Sequence, residues 1–132
     1  MALNKLDIIN LVRELPYDTS SFWLVMGSAL VMWNIKEVTN DIDIGCTEEL
    51  FDFLLCQGFT CQVSRSGRKR IDYNEQIHFY LEWQVNKTMY IEDIQVSDIN
   101  SVLADKMNFN REKDLYDIIL IQQYLNGDEN WK

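Results

Sequence analysis

Val25-Met26-Gly27-Ser28 and Asp41-Ile42-Asp43-Ile44 are two apolar runs that break in charge-binding residues, the first in a glycine-serine pair and the second in alternating carboxylates. Along a β-strand successive side chains point to opposite faces, so Asp41 and Asp43 share one side, ~7 Å apart at the backbone, while Ile42 and Ile44 bury the other. Two like charges that close repel each other. A divalent cation between them relieves the repulsion, and carboxylates are the hard oxygen ligands that Mg²⁺ and Mn²⁺ prefer. Gly27 lets the backbone approach a phosphate closely, and Ser28, at the start of a helix, offers a hydroxyl and the positive end of a dipole. Each piece also has an ordinary reading. A Gly-Ser pair serves many strand-to-helix turns, and an Asp-x-Asp pair is often a solvated strand end.

The chain of 132 residues reads as a single domain over 1–132, large enough to bury most of its apolar side chains around one core. Hydrophobic content of 47% with one proline and five glycines indicates an ordered globular protein rather than a linker-rich one. The net charge of −9 opposes binding to long stretches of nucleic acid unless a basic patch or bound cations reverse the local field. Cys46, Cys56 and Cys61 are odd in number and lack a CxxC spacing, which argues against a zinc site or a disulfide framework and for reduced, mostly buried thiols. Lys5, Asp7 and Arg13 interrupt the first apolar residues, unlike a signal peptide, and no uncharged run approaches membrane-spanning length; a cytoplasmic protein is expected.

Asn4 caps a helix over about Lys5 to Leu15, with Leu6, Ile9 and Val12 on one face and Pro16 ending it. A strand at Phe22 to Met26 leads to a short apolar helix, Ser28 to Asn34, and Lys36 to Asn40 connects to a strand at Asp41 to Gly45. Thr47 caps the next helix, with Glu48 and Glu49 in its first turn, Leu50, Phe51, Leu54 and Leu55 as the buried face and Gly58 at its end. Phe59 to Ser64 reads as a strand, Ser66-Gly67 as a turn and Lys69 as the start of a hairpin partner. Ile77 to Trp83 and Thr88 to Ile91 follow as strands. Ser97 or Asp98 caps a helix carrying Ile99, Val102, Leu103 and Met107, and a last helix runs from about Glu112 to Leu125, before Gly127.

Glu82, in Tyr80-Leu81-Glu82-Trp83, is an acid among large apolar side chains. Such a group faces solvent or meets a cation, and a strand neighbouring Asp41 and Asp43 would supply the cation; Asp72 is the reserve candidate. Arg65, Arg68, Lys69 and Arg70 place four of the twelve basic residues within six positions, a local reversal of charge able to receive a triphosphate or an anionic acceptor, or else a soluble hairpin tip. Lys106 and Lys113 lie within reach of phosphates, and Asp114 and Asp117 are three apart on one helix face. His78, the only histidine, reads as a half-buried strand residue rather than a general base.

Taken together, Gly27-Ser28, Asp41-Ile42-Asp43-Ile44 and Glu82 resemble the nucleotidyltransferase superfamily of DNA polymerase β-like fold. Its pattern is an apolar strand ending Gly-Ser or Gly-Gly, a short helix, Asp-hydrophobic-Asp-hydrophobic, and later a third acid between hydrophobics. Thr39 and the tail "LADKMNFNREKDLYDI" make the chain most similar to the small AbiEii-like bacterial proteins, some of toxin type. Two other classes with an Asp-x-Asp pair fit less well. Haloacid dehalogenase-type phosphatases place theirs directly after a hydrophobic strand, whereas Glu37-Val38-Thr39-Asn40 precedes this one, and glycosyltransferases need a larger chain.

The resemblance implies an α+β fold, a mixed sheet with helices packed on it. It implies transfer of a nucleotidyl group from a nucleoside triphosphate such as ATP to a hydroxyl acceptor, which is a small molecule, RNA or protein. Gly27, Ser28, Lys106 and Lys113 would bind the nucleotide, and Asp41, Asp43 and Glu82 would be catalytic and hold two Mg²⁺ or Mn²⁺ ions, Glu82 also taking the acceptor proton. The interval from Gly27 to Asp41 lies toward the long end of the family's spacing. The alternative is the same fold without catalysis, as a nucleotide sensor or as one half of a protein pair.

Overall fold

The computed structural model describes residues 2–127 except Ser66, so the turn expected at Ser66-Gly67 lies partly outside the described residues. Strands β1 (Phe22–Val25), β2 (Ile42–Cys46), β3 (Cys61–Val63), β4 (Lys69–Asp72), β5 (Ile77–Leu81), β6 (Thr88–Ile91) and β7 (Ile94–Ser97) form one sheet in the order β3-β4-β5-β2-β1-β7-β6. β2 runs parallel to β5 and β1 parallel to β7, while the remaining neighbours are antiparallel. Helices α1 (Lys5–Arg13), α2 (Met26–Met32), α3 (Glu48–Cys56), α4 (Ile99–Phe109) and α5 (Leu115–Leu125) pack on this mixed sheet, so the fold is α+β, as expected. No helix among the described residues is long and apolar enough to cross a membrane.

Alternation decides which face is covered. Leu24, Ile42, Ile44, Ile71, Ile77 and Phe79 meet Ile8, Ile9 and Val12 of α1, Leu30 and Met32 of α2 and Leu50, Phe51 and Leu54 of α3 in the main core. Each fully buried side chain of this size contributes about 1.5–3 kcal/mol. The intervening residues, Asp43, Gly45, His78, Tyr80, Arg70 and Asp72, fall on the opposite face. A Cβ on Gly45 would run into the indole ring of Trp23 and the Cβ of Trp83, so the sheet admits only glycine beneath them.

The expected caps are in place. The Asn4 side chain accepts from the Asp7 amide at 2.9 Å and Asp7 accepts from the Asn4 amide at 3.0 Å, while Thr47 and Asp98 accept from Leu50 and Ser101. Leu6, Leu55 and Met107 are exposed, against expectation, because each lies just off the apolar stripe of its helix. Of the three free thiols only Cys46 is buried. β1 stops at Val25, because Met26 takes φ 54 and opens α2, and β5 stops at Leu81, because Glu82 takes φ 48.

β7 was not expected from the sequence. It follows β6 through a two-residue turn in which Glu92 and Asp93 have φ 53 and 63, a mirror-image turn normally marked by Asn-Gly. A Cβ in that left-handed region costs roughly 1–2 kcal/mol, part of which glycine returns through its own greater freedom when unfolded. Asp93→Gly is therefore expected to raise the unfolding free energy by ~0.5–1 kcal/mol in urea titration. A neutral or destabilised variant would show that the turn carries no such cost.

Candidate nucleotide and cation cleft

Asp41 immediately precedes β2 with its side chain about half exposed, and Asp43 lies half-buried within the strand. As expected, both face the same side, where they line a cleft of about 540 Å³. Gly27 and Thr39 form one wall, Arg70, His78 and Tyr80 rise from the sheet, and Lys106, Arg111, Lys113, Asp114 and Asp117 close it from α4, α5 and the segment between them. A cavity of about 840 Å³ shares Met26, Asp43, Arg70, Tyr80, Arg111 and Lys113 with this cleft and adds Trp83, Phe109 and Arg65. The two spaces therefore adjoin at Asp43.

The β1–α2 turn supports the cleft without supplying every expected ligand. A Cβ on Gly27 would stand 2.7 Å from Thr39 Oγ1, so the absence of a side chain is what allows these two residues to pack into one wall. Ser28 is buried and faces inward. Its hydroxyl donates to the Val25 carbonyl at 2.8 Å and lies 3.1 Å from the Asp43 carbonyl, which ties the turn to the strand bearing the acid and leaves no hydroxyl for a phosphate.

Glu82 does not join Asp41 and Asp43. The parallel register sets Asp43 beside His78, and Glu82 lies four residues further along, ~13 Å at strand spacing. Its left-handed backbone then turns it out of the sheet, exposed, into a separate cavity of about 380 Å³ with Trp23, Thr47 and Glu48. Context within one strand could not reveal this, since it depends on how two distant strands align.

The carboxylate near the pair is Asp72, and the group between them is His78. Asp43, His78 and Asp72 sit side by side on β2, β5 and β4. His78 Nδ1 is 2.7 Å from Asp72 Oδ1, and its Nε2 is 3.7 Å from Asp41 Oδ1. Arg70 braces Asp72, its Nη2 donating to Oδ2 at 3.3 Å, while its Nε stands 2.9 Å from Oδ1 without forming a hydrogen bond. The alternation Ile77, Phe79, Leu81 was the signal that could have placed His78 and Tyr80 on the open face. Burial pushes the Asp43 carboxyl up to about 6; Asp41 adds to the rise, and His78, Lys106 and Arg70 oppose it.

Lys106 is not a free phosphate ligand. Its Nζ is buried between Asp114 at 3.0 Å and Asp117 at 3.1 Å, and Lys36 and Arg111 complete the cluster on the same two acids. Burial pulls the Asp114 carboxyl up, but hydrogen bonds from Arg111 and Lys106 outweigh it and hold it below the ordinary range. Lys113, exposed at the cleft wall, makes no ion pair among the described residues.

Among the described residues no three His, Cys, Asp or Glu side chains stand assembled as a metal site. Mg²⁺ commonly takes only one or two carboxylates, keeping waters and sharing the phosphates of a substrate. Asp41 and Asp43 fit one such ion, which would relieve the strain on the Asp43 carboxylate. The donors do not fit the two ions expected from the sequence, since Glu82 opens onto another cavity. No family model, curated protein or solved structure matches this chain.

Proposed function

We propose that the cleft binds a nucleoside triphosphate together with one divalent cation, Mg²⁺ or Mn²⁺, and transfers its nucleotidyl group to a hydroxyl acceptor. The observation that carries this reading is the meeting of Asp41 and Asp43 with Gly27 and the exposed Lys113 along one cleft. When bound, the cation neutralises phosphate charge and acidifies the acceptor hydroxyl. Asp41 and Asp43 would hold it. Lys113 meets the charge of the phosphates, and the adjoining cavity, bounded by Tyr80 and Phe109, has room for the base and sugar. The acceptor oxygen bonds to the α-phosphorus, the bond from that phosphorus to pyrophosphate breaks, and the hydroxyl proton leaves to solvent through the open cleft. The acceptors to screen are small molecules, RNA and proteins. The reading places the protein in the cytoplasm, where triphosphates coexist with reduced thiols such as Cys46, Cys56 and Cys61.

The position of Glu82 favours a second reading, in which the cleft retains nucleotide binding without transfer or serves a protein partner. Thermal unfolding with triphosphates, with and without Mg²⁺ or Mn²⁺, separates the two. Under the first reading, triphosphate with cation stabilises the protein by ~2.7 kcal/mol at a hundredfold excess over its dissociation constant. Asp41→Ala and Asp43→Ala abolish transfer from labelled nucleotide while circular dichroism is unchanged. Full transfer by either variant rules the assignment out. Stabilisation by nucleotide alone favours a sensor, and no response to either favours a protein partner.

A further inference from the structure

We infer that His78 is the third protein ligand of the cation in this cleft, which makes the site two aspartates and one imidazole and gives it a preference for Mn²⁺ or Co²⁺ over Mg²⁺. The inference rests on the proposed cleft reading and names the ion that the cleft selects.

The pairing of His78 with Asp72 carries the argument. At 2.7 Å the Asp72 carboxylate accepts the proton on Nδ1, which assigns the lone pair of the neutral ring to Nε2. A carboxylate behind the imidazole is the support that metal-binding histidines commonly carry, since it fixes the tautomer and raises the basicity of the other nitrogen. Asp72 is itself fixed by Arg70, whose Nη2 also donates to Gln62. The ring is therefore held from behind on two successive layers of contacts, and its side chain is only 17% exposed.

Nε2 faces Asp41 Oδ1 across 3.7 Å. With Nδ1 turned to Asp72, Nε2 and Asp41 Oδ1 are two electron-pair donors facing one another, and a cation between them, a metal ion in place of a proton on Nε2, satisfies both. Two donors on one octahedral ion stand about 3 Å apart, given metal–ligand distances of roughly 2.1 Å. The gap is thus slightly too wide for a finished site, in keeping with the lack of a preassembled group of ligands among the described residues. Asp41, 54% exposed, is free to swing inward, and Asp43 is already beside His78 in the strand register. Imidazole suits borderline ions, whereas an all-carboxylate site suits Mg²⁺, so exchanging a third acid for His78 shifts the preference.

His78 is the only histidine in the chain, so nitrogen-labelled histidine gives a spectrum of one ring. Titration of the whole protein with a spin-active cadmium isotope, without nucleotide, is expected to split the Nε2 resonance and leave Nδ1 unsplit. Mn²⁺ binding, followed by electron paramagnetic resonance, is expected to weaken about tenfold or more in His78→Ala, and by about 10–100-fold in Asp72→Ala through the lost support. In His78→Asp the ratio of Mg²⁺ to Mn²⁺ affinity should rise. An Nε2 resonance that stays unsplit at saturating cadmium overturns the inference. The wild-type spectrum makes this decision independent of whether any variant folds. If triphosphate with Mg²⁺ still stabilises the wild-type protein in that event, the cleft reading survives and only the histidine ligand falls. If neither cation nor triphosphate binds, both fall.

Discussion

Replacing Lys106 with alanine is expected to lower the unfolding free energy by about 3–5 kcal/mol, the usual consequence of stranding a buried charge. The side chains of Lys106, Asp114 and Asp117 are 5%, 2% and 5% exposed, and one ammonium serves both acids. Without it, Asp114 keeps only Arg111 and Asp117 only Lys36, in a site that water barely reaches. The comparison is Arg13 with Glu92, where both partners are more than half exposed and the expected contribution is only ~0–1 kcal/mol. Urea unfolding of Lys106→Ala and Arg13→Ala measures both, and a loss below ~1 kcal/mol for Lys106→Ala would mean that the cluster is hydrated. The acid limb sharpens the test. Because the Asp114 carboxyl is held low in the folded state, its contribution is full above the unfolded value and is lost as pH falls through the folded one. That acid-induced loss should shrink in Lys106→Ala.

Asp43→Asn has the opposite sign: the metal-free variant is expected to be more stable than the wild type by ~1–3 kcal/mol near pH 8, while losing its response to triphosphate with cation. The folded carboxyl titrates at about 6, against an ordinary value of roughly 3.9. Between those values the folded protein keeps a proton that the unfolded chain releases, so wild-type stability falls as pH rises from ~4 to ~6 and stays reduced above it. Asparagine removes this ionisation. The advantage should therefore be small near pH 4 and full near pH 8, as read by urea titration in the presence of a chelator. Equal stability at both pH values would show that Asp43 is well solvated in the folded state.

Local chemistry made most of the fold legible. Asn4, Thr47 and Asp98 cap helices because short polar side chains satisfy free amides, and that signal sits within a few residues. The hairpin to β7 escaped because Glu92 and Asp93 hold a conformation that other residues normally advertise. For the site, Asp41, Asp43, Gly27 and Lys113 do share a cleft, since alternation and a turn residue are also local signals. His78 rather than Glu82 stands near Asp43 because the parallel register of β2 with β5 sets which residue lies beside it. Ser28 and Lys106 turned inward because the Val25 carbonyl and the acids Asp114 and Asp117 claim their donors first, a competition decided in three dimensions.

Asp117 lies on α5 and one of its oxygens receives both Lys36, from the segment leading to Asp41, and Lys106, from α4. The final helix thus acts as a latch on a cleft to whose acidic pair it contributes no residue. Fraying it withdraws the carboxylate that both lysines share and leaves Lys106 with Asp114, so amide exchange in α5 and in residues 36–40 is expected to belong to one cooperative opening. A protease that trims this helix is expected to loosen residues 36–40, beside Asp41, while leaving both aspartates in place.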